Sequence, residues 1–149
     1  MNRSRSALKT VAEVSGKKER ETAQELAAGC KKLNQQLEQL EQLQAFREDY
    51  AGQAYQRAES GADLHNWQLY ADFLDGIDDV IARQERFLRQ THSAIKNKRA
   101  NWQQANRRTR TINEVLDRVE RHLRRRSERR QQTEVDDQSS ARAGRAKSR

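Results

Sequence analysis

Three histidines, one cysteine and several clusters of charge are the side chains with which this chain could do chemistry. His65, His92 and His122 stand far apart, and none has a Cys or His partner at the short spacing from which one helix or turn offers two metal ligands. Cys30 falls on the apolar face of a helical pattern, where a small buried hydrophobe is expected rather than a reactive thiol, and one cysteine builds no disulfide framework. Asp78 and Asp79 are neighbours on an exposed face, and without an enclosing cavity they are surface charge, not an acid and base pair. There is no glycine-rich phosphate loop and no Ser, His and Asp set that long helices could converge in a dry pocket. The chain is therefore expected to hold no metal or cofactor and not to be an enzyme.

The run Arg118, Arg121, Arg124, Arg125, Arg126, Arg129 and Arg130 would serve phosphates well. Against a nucleic-acid partner, no DNA- or RNA-binding module can be recognised, and no aromatic residue for base stacking occurs from Ile112 onward. What remains is recognition by helical faces, and those depend on the elements that carry them.

The clearest element runs from Trp67 to Arg126. A stripe can be followed through it in alternating steps of three and four: Trp67, Tyr70, Leu74, Ile77, Ile81, Gln84, Leu88, Thr91, Ile95, Lys98, Trp102, Ala105, Thr109, Ile112, Leu116, Val119, Leu123, Arg126. Such a period averages about 3.5 residues and marks a coiled-coil seam against a partner helix. An earlier, weaker pattern begins near Leu8 with Val11 and Val14, sharpens at Leu26, Cys30, Leu33, Leu37 and Leu40, and passes Leu43, Phe46, Tyr50 and Ala54. Its step of three at Leu43, where four is due, reads as a stammer that overwinds the supercoil.

The predicted fold is all-α: a long antiparallel two-helix coiled coil, or helical hairpin. Helix 1 is placed at about 8–57, a turn at about 58–65 and helix 2 at about 66–130, with a frayed stretch at 1–7 and a disordered basic and polar tail at 131–149. Gly61 can take the left-handed conformation that ends the first helix, and Asp63 can cap the second. A connection this short makes the helices antiparallel. The absence of proline, only six glycines, and 34% hydrophobic against 35% charged residues fit long wet helices rather than a globular core. Helix 2 is expected to outrun helix 1 by roughly 20 Å near His122 to Arg130.

The formal charge of +8 is unevenly placed: net +3 over residues 1–40, −5 over 41–95, +9 over 96–130 and +1 beyond. Turn and termini are thus opposite in sign. Phe73, Val80 and Phe87 recur at seven, one position before the seam, on a flank that two helices only partly cover; such a ridge is either the edge of a wider core or a docking site. No apolar run approaches a membrane span, and Met1-Asn2-Arg3-Ser4-Arg5 leads into no signal core, so a cytoplasmic location is expected.

Phe46-Arg47-Glu48-Asp49-Tyr50 near the end of helix 1, Trp67-Gln68-Leu69-Tyr70-Ala71-Asp72-Phe73-Leu74 opening helix 2, and the later Trp102-Gln103-Gln104-Ala105 resemble the flagellar export protein FliJ family over nearly the whole chain. The resemblance implies a non-enzymatic part of the flagellar type III export apparatus, similar to the central stalk of rotary ATPases. It implies that the basic end, carried here by Arg118, Arg121, Arg124 and Arg125, enters the hexameric export ATPase ring. It also implies contact with the cytoplasmic domain of the membrane export gate through Phe73, Ile77, Val80 and Gln84, the last standing where a histidine is expected. Export chaperones would be further partners, and the protein would sit peripherally at the inner face of the cytoplasmic membrane. Alternatives are the stalk protein of a virulence type III secretion system, a structural coiled coil and, less readily, a basic nucleic-acid binder.

Overall fold

The computed structural model describes residues 2–61 and 64–148. Two helices account for nearly all of it, α1 (Asn2–Glu59) and α2 (Leu64–Lys147), packed against each other as a hairpin. The turn is built as its residues require. Ser60 N–H donates to the Gln56 carbonyl at 3.2 Å and Gly61 N–H to the Ala58 carbonyl at 3.3 Å. Gly61 has φ of 87°, the left-handed region in which a Cβ would be strained. The expected capping residue Asp63 lies outside the described residues.

The helices are longer than the sequence patterns suggest. α1 takes in residues 2–7, expected to fray, and α2 continues through residues 131–147, expected to be irregular. The reason is propagation: once a helix is nucleated, each further residue fixed adds one hydrogen bond, so extension is close to break-even and needs no new nucleus. Arg, Gln, Glu and Ala are good helix formers, and local bonds such as Gln132 to Asp136 at 3.2 Å support the turns.

The chain forms two compact units, Met1–Arg20 with Gln104–Arg149, and Glu21–Gln103. In the second, α2 buries the seam foreseen for it through Leu74, Ile77, Ile81, Gln84, Leu88, Thr91, Ile95, Lys98 and Trp102. Opposite lie Thr22, Leu26, Gly29, Leu33, Gln36, Leu40, Leu43, Arg47, Tyr50 and Ala54, again in strict steps of four and three. This overturns part of the predicted α1 stripe. Leu37 and Phe46 are exposed beside the seam, while Gln36 and Arg47 occupy it, and Gly29 rather than Cys30 is the more buried of that pair. No stammer exists; the step at Leu43 belongs to a regular alternation. Trp67 is also a correction: it stands 47% exposed, because the residue that α1 brings near Tyr70 is Arg57, whose guanidinium lies 5.6 Å from the Tyr70 ring centre.

Some of the polar residues in the seam find partners across it. Gln84 Nε2 donates to the Gln36 carbonyl at 3.2 Å and to Gln39 Oε1 at 3.3 Å. Arg47 forms a forked pair with Asp78 at 2.5 and 3.3 Å. Gly29 allows a close approach, since a Cβ there would lie 3.3 Å from Ile95 Cγ1.

In the other unit, Leu8, Ala12 and Ser15 of α1 lie in the seam with Ala105, Thr109, Ile112, Leu116, Val119 and Leu123 of α2. The Ser15 and Thr109 hydroxyls are 2.9 Å apart, Asn106 Nδ2 donates to Glu19 Oε1 at 2.7 Å, and Arg5 pairs with Glu120 at 3.5 Å. The residue numbers fall on one helix as they rise on the other, as antiparallel packing demands. Beyond Leu123 the seam ends, and Arg126, the predicted end of the stripe, is exposed with every described residue after it.

Candidate interaction surfaces

In unit Glu21–Gln103, seam geometry leaves an aromatic flank. Tyr50 occupies a seam position, and its ring lies 4.5 Å from that of Phe73 and 5.3 Å from that of Tyr70. Phe46, displaced outward by Arg47, meets Phe73 edge-on at 6.5 Å and Tyr50 at 6.3 Å. Contacts of this kind contribute about 0.5 to 1.5 kcal/mol beyond the area they bury, so the cluster is held rather than loose. Phe73 is nonetheless 48% exposed, and Val80 and Phe87 continue the apolar line along α2 at 42% and 55%.

The four residues marked for the gate thus divide. Phe73 and Val80 face outward beside one another along the flank. Ile77 is 8% exposed in the seam against α1, and Gln84 is engaged with Gln36 and Gln39. Phe46 and Tyr50 complete the surface from the other helix. The sequence contained their signal, the Phe-x-x-x-Tyr spacing that places both on one helical face, but only the register of α1 against α2 shows that this face meets Phe73.

One acidic side chain in this stretch of α2, Asp78, is tuned by a basic partner on α1. Asp78 accepts the hydrogen bonds of Arg47, which hold its carboxyl below the ordinary aspartate range against an opposing contribution from desolvation. The same bond and charge raise Arg47.

The second surface belongs to the unit that contains both chain ends. Arg118, Arg121, Arg124 and Arg125 are all exposed, and Arg121 Nε donates to the Asp117 carbonyl at 3.4 Å. From residue 124 to Lys147 every residue of the helix is exposed, about 36 Å of it at ~1.5 Å per residue. Among the described residues no group of three His, Cys, Asp or Glu side chains could hold a metal ion. None of the described helices is long and apolar enough to cross a membrane. The two surfaces differ in character: one is apolar and aromatic, the other basic.

A family model described as Flagellar FliJ protein matches residues 4–148. No curated protein and no solved structure matches the chain.

Proposed function

The chain belongs to the FliJ family of flagellar export proteins, and on that premise we propose that it couples the hexameric export ATPase to the membrane export gate and assists export chaperones, without catalysis of its own. One observation supports this reading: α2 extends over residues 124–147 with every residue of that stretch exposed. A charged single helix is marginal in water, and a partner that encloses it supplies the missing stabilisation. Arg118, Arg121, Arg124 and Arg125 are the proposed ring contacts, since guanidinium groups pair with carboxylates in fixed geometry. Phe73 and Val80 are the proposed gate contacts, with Ile77 and Gln84 fixing α2 against α1 behind them. Such a component works on the cytoplasmic side of the membrane, held there by its protein partners. The match to the flagellar family favours flagellar export over a virulence system.

The test is co-purification with the export ATPase under nucleotide conditions that support ring assembly. The full chain is compared with a version ending at Leu123, which keeps the whole seam. Binding and ring stabilisation by the full chain alone support the coupling role; equal behaviour of the two removes the extension from it. Phe73→Ala with Val80→Ala is expected to weaken gate binding with helicity intact, and unchanged binding sinks the gate assignment.

A further inference from the structure

We propose that the groove beside the first turns of α1 receives an acidic amphipathic helix of a partner protein. The groove lies wholly within the unit formed by Met1–Arg20 and Gln104–Arg149 and has a volume of about 420 Å³. Its origin is local. Ser15 and Ala105 are buried in the seam but carry very small side chains, so the flank above them stays unfilled. Val11 and Val14 each stand one position before a seam residue, and they line the groove while 43% and 65% exposed. Val11, Val14 and Lys18 follow one another at three and four, the spacing of one helical ridge, and Arg108 of α2 forms the opposite wall.

An apolar ridge above a concave floor is the surface onto which an amphipathic helix lays its apolar face. The volume lies in the range, about 300 to 1,000 Å³, of pockets that bury apolar groups. Charge then selects the partner. Of the side chains that line the groove two are charged, Lys18 and Arg108, and both are basic. A helix whose apolar face fills the groove would bring its polar edges against this rim, where carboxylates are favoured and ammonium groups repelled. An anionic lipid surface is the poorer match, because interfacial helices present a broad face rich in Trp, Phe or Leu, whereas two valines here sit within a concavity. The inference depends on neither the gate contact nor the ring contact.

Fluorescence anisotropy on the full chain tests it. The probe is a labelled synthetic helix of Glu, Ala and Leu with leucines at i, i+3, i+4 and i+7, and the control carries Lys in place of every Glu. The acidic probe is expected to bind and the basic one not. Val11→Gln with Val14→Gln should weaken binding about tenfold or more. Arg108→Glu should weaken it about fivefold and reduce its salt dependence. Arg108 is exposed, so its variant keeps the test readable should the valine variant lose helicity by circular dichroism. Failure of the acidic probe to bind overturns the proposal, as does equal binding of the basic probe or undiminished binding by both variants. Binding to anionic vesicles that depends on Val11 and Val14, with no binding of the peptide, would assign the groove to a membrane surface instead.

Discussion

Gly29 and Gly76 lie inside long helices of the same unit, yet alanine should act on them in opposite directions. The intrinsic gain is shared: replacing an interior helical glycine by alanine is worth about 0.5 to 1 kcal/mol. At Gly76 a Cβ meets nothing within 4 Å. Gly76→Ala is therefore expected to keep the whole gain and to raise Tm by about 1 to 4 °C for a chain of this size. At Gly29 the new carbon would lie 3.3 Å from Ile95 Cγ1 and 3.5 Å from Lys98 Cδ. Ile95 is 5% exposed and, being β-branched in a helix, is confined to one preferred χ1. Displacing it from that rotamer costs about 0.5 to 1.5 kcal/mol, which cancels or exceeds the gain. Gly29→Ala should melt at or below the parent temperature, and Gly29→Leu lower still, since overpacking costs about 1 to 3 kcal/mol. Thermal unfolding by far-UV circular dichroism, with both alanine variants run in parallel, reads the difference. An equal rise in Tm for both would mean that the Gly29 backbone does not lie against Ile95, and the register of the helices would have to be redrawn.

Two further outcomes follow from the charges and from the unsupported helix. Because Arg47 depresses the Asp78 carboxyl in the folded state, its contribution is present above the unfolded aspartate pKa, near 3.9, and is lost as pH falls through the lower folded value; Asp78→Asn should flatten that part of an acid-unfolding curve, and added salt should shrink the difference. Backbone amides of residues 124–147 should exchange with deuterium well before those of the seam around Ile77 and Ile95, and equal protection would mean that the extension packs on something.

The α2 seam was legible residue by residue from Tyr70 to Leu123, because leucine, isoleucine, valine and tryptophan recur often enough to carry the trace across Gln84, Thr91, Lys98 and Thr109. The α1 seam was not. Its positions include Ser15, Glu19, Thr22, Gly29, Gln36 and Arg47, which a search for apolar side chains passes over, while Val14, Leu37 and Phe46 stand beside the seam and draw the trace outward. The cross-helix partners Thr109, Asn106 and Asp78 explain why Ser15, Glu19 and Arg47 belong there, and a linear pattern does not contain them. The same shift hid the junction of Phe46 and Tyr50 with Phe73. Phe73 and Val80 were visible as flank residues because they were counted from the α2 seam, whose phase was right. The helical extension is not legible in apolar content for a different reason: a low apolar content argues against packing but not against helix.

The cross-helix contacts also set the order in which the hairpin is cheapest to close. Arg57 and Tyr70 are 13 residues apart in sequence, Arg47 and Asp78 31, Gln36 and Gln84 48, Glu19 and Asn106 87, and Ser15 and Thr109 94. Closing the outermost of these loops from a free chain costs about 2 kcal/mol more entropy than closing the innermost. Once Arg57 and Tyr50 have met Tyr70, each later contact closes only a short additional loop, so the chain can zip outward from its turn, with the contacts of highest sequence separation closing last.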